Sequence, residues 1–437
     1  MRWKSDHISG WGRHLWAEME VSRVSRLAAL KQIYAQTPAP AIGGLRSYGD
    51  AALNTEGRAH LATRLNKFIA FDSSSGLLRA EAGITMREIL DVTLAKGWAP
   101  TALPGTGYVT LGGAIAMDVH GKDHRNSGSF SAQLREIKLL DATGKTHVAS
   151  HTKKAGLFWA TVAGLGQTGI ILEAEIQLAA ASDMVDLRKT AFETLSEGIA
   201  LLEASPAQFN VAWIDAMAVG ANLGRGIFES SDYSSSSVQK PRRKSKNVPV
   251  TAPKLAMSPM VITSFNALRM RLAGAKTKTQ RVSFLDAQYP LDQLGAWNKL
   301  YGKDGFHQFQ ACFPVKTSEA GLTSILKLVS KAKAASPLVI IKRLGPASLS
   351  PLSFPQEGFT IAIDLQSRNN TAALLSKLTE VTLAHDGRVY LAKDSSLSQE
   401  AFKTMYPAHA DWADTVSKFD PDKTLMTNMV RRLGVRI

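Results

Sequence analysis

The sequence predicts an α+β fold of two domains, followed by a short segment that returns to the first domain. Residues 104–130 mix glycines with apolar residues, which indicates a buried loop system around a large ligand. After residue 183, strand-like and helical segments alternate, as in an antiparallel sheet that carries its helices on one face. The 437 residues suffice for two domains, which we place at residues 1–183 and 184–387, with the last segment at 388–437.

Short-range patterns predict the elements of the first domain. Apolar spacing and turn residues distinguish its helices from its strands. The predicted elements are helices at residues 21–34, 85–96 and 157–162 and strands at residues 68–72, 76–83, 137–140, 147–149 and 170–178.

Residues 164–169 fit the dinucleotide-binding pattern G-x-G-x-x-G. The Rossmann fingerprint requires a strand before the glycines and a helix after them. Here a predicted helix precedes them and a predicted strand follows. We therefore predict a tight helix-to-strand turn and reject a Rossmann unit.

The second domain shows the same two periodicities in alternation. The predicted elements are helices at residues 194–204, 318–334 and 370–384 and strands at residues 209–215, 282–286, 307–315, 338–344 and 360–365. Beyond it, residues 389–394 are strand-like, and Ser396 with Gln399 predicts a capping box for a helix at residues 399–405.

Two glycine-containing stretches have the composition of an anion site. Residues 104–130 carry two histidines, a lysine and an arginine between His120 and Arg125, and glycine backbone can place successive amides on phosphate oxygens. Residues 46–50 add an arginine, a bidentate phosphate donor, together with a hydroxyl, an aromatic ring and a glycine. The alternative for the first stretch is a set of surface turns, which its many apolar residues argue against.

These two stretches, about sixty residues apart, resemble the PCMH-type FAD-binding domain of the vanillyl-alcohol-oxidase flavoproteins. Further segments resemble the decaprenylphosphoryl-β-D-ribose 2-oxidase family, the flavin subunits of an epimerase, and the resemblance is weakest at residues 229–281. The matching segments are residues 10–13, 46–50, 120–122, 392–395 and 431–434.

The resemblance implies FAD as the cofactor. Because residues 46–50 contain no histidine at the position where covalent members attach the flavin, we expect the FAD to be non-covalent. The cofactor-binding residues it implies are Arg46, Ser47, Tyr48, Gly49, Asp50, Gly105, Thr106, Val109, Thr110, Gly112, Gly113, Ala116, His120, Gly121, Gly169 and Tyr390.

The resemblance also implies catalytic roles for Lys393, His120 and Lys122. Oxidation of an alcohol by a flavin needs a group that takes up the hydroxyl proton and positive charge near the reduced ring. Lys393 matches the lysine at the substrate end of the flavin and would act as a base or through charge and hydrogen bonds; the alternative is a surface lysine. His120 would orient or deprotonate the sugar hydroxyl, or only satisfy backbone groups.

Substrate-binding residues are expected on the predicted sheet. Gln308 and Gln310 share one face of a strand because they are two residues apart. Where mycobacterial members carry a pocket cysteine, this chain has Ala362, so capture of nitro-aromatic inhibitors by that thiol is not expected. The substrate-binding residues implied are Gln308, Gln310, Lys342, Thr360 and Lys393.

The implied reaction is oxidation of the 2-hydroxyl of a polyprenylphosphoryl-β-D-ribose to the 2-keto form. It is the first half of epimerisation to the arabinose form for cell-wall polysaccharide synthesis, and an NAD(P)H-dependent short-chain reductase would reduce the ketone. One alternative is an FAD oxidase of a small soluble polyol or aldonolactone. Another is a non-catalytic basic protein that binds membrane or nucleic acid.

Composition limits the partners. The net charge is +15, but no zinc knuckle or recognition-helix signature supports nucleic-acid binding. The low-complexity residues 230–237 and the basic residues 240–246 predict a mobile loop that is either solvated or lies on an anionic membrane surface. The single cysteine, Cys312, cannot form an internal disulfide or a zinc site, and no metal is expected.

The sequence shows no apolar run long enough to cross a membrane and no secretory signal. The expected location is therefore cytoplasmic or peripheral on the inner membrane face, with the periplasm as the alternative.

Overall fold

The computed structural model describes residues 3–235, 246–274 and 276–436. Most of the predicted basic loop, residues 240–245, therefore lies outside the described residues. Within the described ranges, every helix is too short or too polar to span a bilayer.

The N-terminal part of the chain builds a four-stranded sheet with the order β1-β2-β4-β3. Its elements are β1 (Lys4–Ser9), β2 (Trp16–Ser22), α1 (Leu27–Gln36), β3 (Ala41–Ile42) and β4 (Arg58–Leu61). The helix predicted over residues 21–34 is wrong at its start, because Val21 is buried in β2 and pairs with Lys4 of β1.

A second sheet of five strands follows, with the order β5-β6-β10-β8-β9, and both predicted hairpins are confirmed in it. Thr85 and Glu88 form a capping box at the start of α2. The elements are β5 (Phe68–Asp72), β6 (Leu77–Glu81), α2 (Met86–Thr93), β7 (Trp98–Ala99), α3 (Leu111–Ala116), α4 (His124–Ser127), β8 (Leu134–Leu140), β9 (Thr146–Ser150), α5 (Ala155–Thr161), β10 (Ile170–Gln177) and β11 (Ala179–Ala180).

Residues 164–169 connect α5 to β10, as the sequence predicts. Gly166 and Gly169 have φ values of 73° and 141°, which residues other than glycine rarely adopt. The glycines of this stretch are therefore explained by the turn.

Eight further strands form a sheet in which all neighbours are antiparallel, with the order β16-β12-β14-β13-β19-β20-β18-β21, while β15 and β17 form a separate parallel pair. The elements are β12 (Met184–Phe192), α6 (Leu195–Ala204), β13 (Phe209–Ile214), β14 (Gly226–Tyr233), β15 (Lys246–Asn247), α7 (Pro259–Ala273), β16 (Lys278–Ser283), α8 (Phe284–Gln288), β17 (Leu294–Gly295), β18 (Phe306–Pro314), α9 (Ser318–Lys331), β19 (Val339–Leu344), β20 (Gly358–Gln366), α10 (Thr371–Ala384) and β21 (Arg388–Val389). The strand predicted over residues 282–286 is wrong after Ser283, because Ser283 ends β16 and caps α8.

The two faces of this sheet have different partners. Phe309, Ala311 and Phe313 of β18 belong to one apolar core with residues of α6, α9 and α10. Gln308 and Gln310 alternate with them and lie on the other face, against a cavity. The three helices thus cover one face, as expected for the α+β fold, and leave the other for the site.

The C-terminal segment contacts both parts of the molecule. Its strand is shorter than predicted, and β21 pairs with β18 at the edge of the large sheet. The helices are α11 (Gln399–Met405), α12 (His409–Ser417) and α13 (Asn428–Leu433), of which α12 packs on α5. The predicted capping box is wrong: Ser398 caps α11, whereas the Ser396 amide donates to Asp394.

Candidate active site

A cavity of about 690 Å³ lies between the free face of the large sheet and the glycine-rich loops. The first part of the chain, the sheet and the C-terminal segment all contribute to its wall. The predicted residues that line it are Arg46, Ser47, Tyr48, Gly105, Thr106, Val109, Thr110, Gly113, Ala116, His120, Gly121, Lys122, Gln308, Gln310, Lys342, Thr360, Tyr390 and Lys393.

Arg46 lines the cavity. Its guanidinium lies 4.4 Å from the centre of the Trp11 ring and 5.4 Å from that of Tyr108, and Nη1 donates to the Gly44 carbonyl at 2.7 Å. The buried Nε has no hydrogen-bond partner in the protein. A guanidinium that lies over two aromatic rings and keeps one unpaired N–H donor can bind an anionic ligand such as a pyrophosphate.

The glycine loop beside Arg46 is held by Asp292. Its carboxylate accepts hydrogen bonds from the Thr106 hydroxyl at 2.7 Å and from the Gly107 amide at 2.8 Å. Burial raises the pKa of Asp292. Thr106 is therefore engaged within the protein, whereas a side chain at Gly105 would meet only open space.

Lys393 also lines the cavity, with Nζ 3.9 Å from the centre of the Tyr48 ring. Burial lowers the pKa of Lys393 to about 7, Asp364 acts to raise it, and Lys342 lowers it further. Burial likewise lowers the pKa of Lys342 to about 8. Near neutral pH, the cavity wall therefore contains an amine, that of Lys393, which can accept a proton.

His120 is next to this amine and is neutral. Burial, with Lys342, His124 and Lys393, holds the pKa of His120 well below its usual value. The Gln310 amide nitrogen, which can only donate, lies 2.9 Å from Nε2 of His120. Nε2 is thus the acceptor and Nδ1 carries the proton, and buried Nδ1 has no partner in the protein.

Asp364 supports the wall between Gln308 and Lys393. It accepts hydrogen bonds from the Gln308 amide and, at 2.9 Å, from the Tyr301 hydroxyl. Burial raises the pKa of Asp364 to about 6, so the group is ionised above that pH. Its negative charge is the one that raises the pKa of Lys393.

Lys122 belongs to a separate charged group in the cavity wall. Burial lowers its pKa, the Glu229 carboxylate raises it, and Nζ donates to the Ala287 carbonyl. Arg269 of α7 also lines the cavity, with its guanidinium 4.3 Å from the centre of the Trp213 ring. The structure thus separates Lys122 from Lys393 in its contacts.

Four predicted cofactor residues lie outside the cavity wall. Gly49 and Gly112 are needed for close packing, because a Cβ would lie 2.0 Å from the Asp394 carbonyl and 3.1 Å from Ala82 Cβ respectively. Asp50 is paired with Arg432 at 2.8 Å.

Gly169 is the fourth. It directly precedes β10 and packs against the Leu140 carbonyl. Leu165 and Gly166 of the same turn line the cavity in its place. In the structure these four positions contact other parts of the protein, and their predicted role in binding the cofactor stays a prediction.

Sequence reasoning missed several lining residues in the middle of the chain. Val211 and Trp213 alternate with Ala212 and Ile214 along β13. Because Ala212 and Ile214 are in the core, this alternation would have placed Val211 and Trp213 on the other face of the strand, toward the cavity. Glu229 and Arg269 had no comparable signal, because the strands and the helix that present them were not predicted. Asp292 lies in a short 3-10 helix, and its side-chain partners Thr106 and Gly107 are 186 and 185 positions away in the sequence.

Comparison with known proteins agrees with this geometry. Residues 18–150 match the FAD binding domain family. Over 89% of this chain and 87% of the relative, the sequence is 34% identical to the decaprenylphosphoryl-β-D-ribose oxidase of Mycolicibacterium smegmatis. It is 29% identical to an uncharacterized protein in the mprA 5′ region of Streptomyces coelicolor, over 80% of this chain and all of that protein.

A shorter match, 31% identical over 29% of this chain and 24% of the relative, is to a putative D-arabinono-1,4-lactone oxidase of Neurospora crassa. The fold and the site define an FAD-dependent oxidoreductase. More closely, the chain belongs to the family of the decaprenylphosphoryl-β-D-ribose oxidase, which confirms the resemblance seen in the sequence.

Proposed function

We propose that the protein oxidises the 2-hydroxyl of a polyprenylphosphoryl-β-D-ribose to the 2-keto form, the first half of epimerisation to the arabinose form. The observation that carries this proposal is one cavity lined both by an arginine with a free donor and by Lys393 together with neutral His120. The relative of 34% identity carries the corresponding activity in its name.

The chain's own residues would handle the hydroxyl proton and the sugar. Neutral Lys393 accepts the proton of the 2-hydroxyl, since its lowered pKa of about 7 leaves a free amine at neutral pH. The Nδ1–H of His120, which has no partner in the protein, donates to a sugar oxygen. Bound FAD supplies the acceptor for the hydride that leaves C2.

The residues present fit FAD. Arg46 with its unpartnered Nε would bind the pyrophosphate together with backbone at Gly105, and Tyr390 and Ala116 would border the ring. Residues 46–50 contain no histidine, so we propose non-covalent binding. Acid precipitation of the protein tests this proposal, because a free flavin stays yellow in the supernatant and a covalent one pellets with the chain.

Partners and location follow from this substrate. The keto product requires an NAD(P)H-dependent short-chain reductase, and the lipid tail requires contact with a membrane surface, for which the net charge of +15 is favourable. We propose a peripheral position on the inner membrane face, with the periplasmic face as the alternative. The division into residues 1–183, 184–387 and 388–437 likewise remains a proposal.

An anaerobic absorbance scan tests the reaction. A short-chain prenylphosphoryl ribose should bleach the oxidised flavin band at about 450 nm. Xylitol and an aldonolactone are the controls for a small-polyol or lactone oxidase. Bleaching by a control and not by the lipid sugar would overturn the proposal.

A further inference from the structure

Helix α7 carries a stripe of large apolar side chains that face solvent. Val261, Phe265, Leu268 and Leu272 are 46%, 48%, 55% and 67% exposed. Their spacing of four, three and four residues places them on one side of the helix over about three turns. We call these four residues the outer stripe.

A second side of α7, which lies about 100° around the helix axis from the outer stripe and which we call the inner side, is attached to the protein. Ile262 is buried, and the buried Asn266 amide donates to Asp215 at 2.8 Å. Arg269 lies over Trp213 and lines the cavity. The helix is therefore fixed by its inner side, while the outer stripe has no protein cover among the described residues.

The apolar surface extends beyond the stripe. Met260 is 80% exposed, Leu255 is 77% exposed and Val250 is 70% exposed, all within the segment that leads into or begins α7. Single exposed apolar residues are ordinary, but seven of them within residues 250–272 mark a surface that binds something apolar.

The charge of this region identifies the kind of partner. Residues 246–285 contain seven Lys and Arg side chains and no Asp or Glu. Arg271, Lys276 and Lys278 are exposed at the C-terminal end of α7. An apolar stripe bordered by basic residues suits anionic lipid headgroups over an acyl layer, whereas pairing with a second copy would bring two basic surfaces together.

We propose that the outer stripe of α7, together with Leu255 and Val250, inserts into the surface of an anionic lipid bilayer. The inference rests on the proposed function in one respect: a prenyl-linked sugar must leave a membrane to reach the cavity. Since Arg269 lines the cavity from the inner side of the same helix, the cavity wall lies within about one helix diameter, roughly 10 Å, of the headgroups. The sugar phosphate enters the cavity while its tail remains in lipid.

Vesicle flotation tests the docking. The triple variant F265S/L268S/L272S of the full-length flavoprotein is compared with V219S/L349S, which removes two apolar side chains, 65% and 76% exposed, elsewhere on the surface. With vesicles containing anionic phosphatidylglycerol, we expect the triple variant to partition roughly 100-fold more weakly and the control variant like the wild type. Equal partition of all three proteins would overturn the proposal.

A fluorescent label gives a second measurement that keeps the other three side chains of the outer stripe. The native Cys312 is buried, so a single cysteine introduced by L268C takes an environment-sensitive dye selectively. Anionic vesicles should shift its emission to the blue, and the same dye at V219C should not respond. A shift caused by a second copy of the protein without lipid would overturn membrane docking in favour of self-association.

The reaction is assayed separately, with substrate in detergent micelles. Flavin bleaching without vesicle binding would remove the docking proposal and leave the proposed function intact. Vesicle binding without bleaching by the lipid sugar would remove the proposed function and leave the docking proposal intact.

Discussion

The amine nitrogen of Lys393 lies 3.9 Å from the centre of the Tyr48 ring, which joins the C-terminal segment to the arginine-bearing loop at residues 46–50. An ammonium over an aromatic face is attracted by the ring quadrupole, while burial favours the neutral amine. Burial, opposed by Asp364 and reinforced by Lys342, lowers the pKa of Lys393 to about 7, where the side chain can exchange a proton during turnover.

Replacing Lys393 should separate cofactor binding from catalysis. We expect Lys393→Ala to retain FAD, read from its absorbance, and to lose turnover by about 10²- to 10⁴-fold, the usual contribution of a general base. In the wild type, kcat/KM should rise as pH increases through about 7 and then level off, because the neutral form is the active one. Normal turnover in the variant would remove Lys393 from the mechanism.

Asp364 should set the position of that pH profile. Its carboxylate raises the pKa of Lys393, so Asp364→Asn should move the rise of kcat/KM to lower pH. Tyr301→Phe is the matched control, since it removes a hydrogen bond to Asp364 without removing the charge. If both variants shift the profile equally, the effect is structural and not electrostatic.

Ala362 should be convertible into a reactive site. It lines the cavity, whereas Cys312 is fully buried and burial raises the pKa of its thiol to about 12. Ala362→Cys should therefore take one equivalent of N-ethylmaleimide by intact mass, and the wild type none. Labelling of the native chain at Cys312 would contradict this account of the cavity.

Arg432 should be a stability residue. It bonds both oxygens of Asp50 at 2.8 Å and reaches Asp394 at 2.9 Å, and those two carboxylate side chains are 8% and 3% exposed. Arg432→Ala would leave two buried carboxylates unpaired, so we expect the free energy of unfolding in urea to fall by about 3 kcal/mol.

The neighbouring Arg431→Ala is the control for this measurement. Arg431 is exposed, and the partners it bonds are the neutral side chains of Asn54 and Asn428, so its removal should cost under about 1 kcal/mol. An equal loss in both variants would show that the ion pairs with Asp50 and Asp394 contribute nothing specific.

Local patterns predicted most elements because their causes are local. The hairpin at β8 and β9 turns through Gly144, whose φ is 84°, and α2 begins at a capping box formed by residues three apart. Predictions failed where tertiary pairing outweighed such patterns. Val21 has apolar neighbours at helical spacing, but pairing with Lys4 places it in a strand.

The sequence by itself determined the class of site. It showed glycine-rich loops close to basic residues, and it showed that Gln308 and Gln310 alternate with an apolar residue along one predicted strand. Only the tertiary structure decided which of these side chains meet. His120 and Gln310 are 190 positions apart, and Arg432 and Asp50 are 382 apart. Such contacts depend on strand register and on how the C-terminal segment packs, and these arise from burial across the whole chain and not from any short stretch of it.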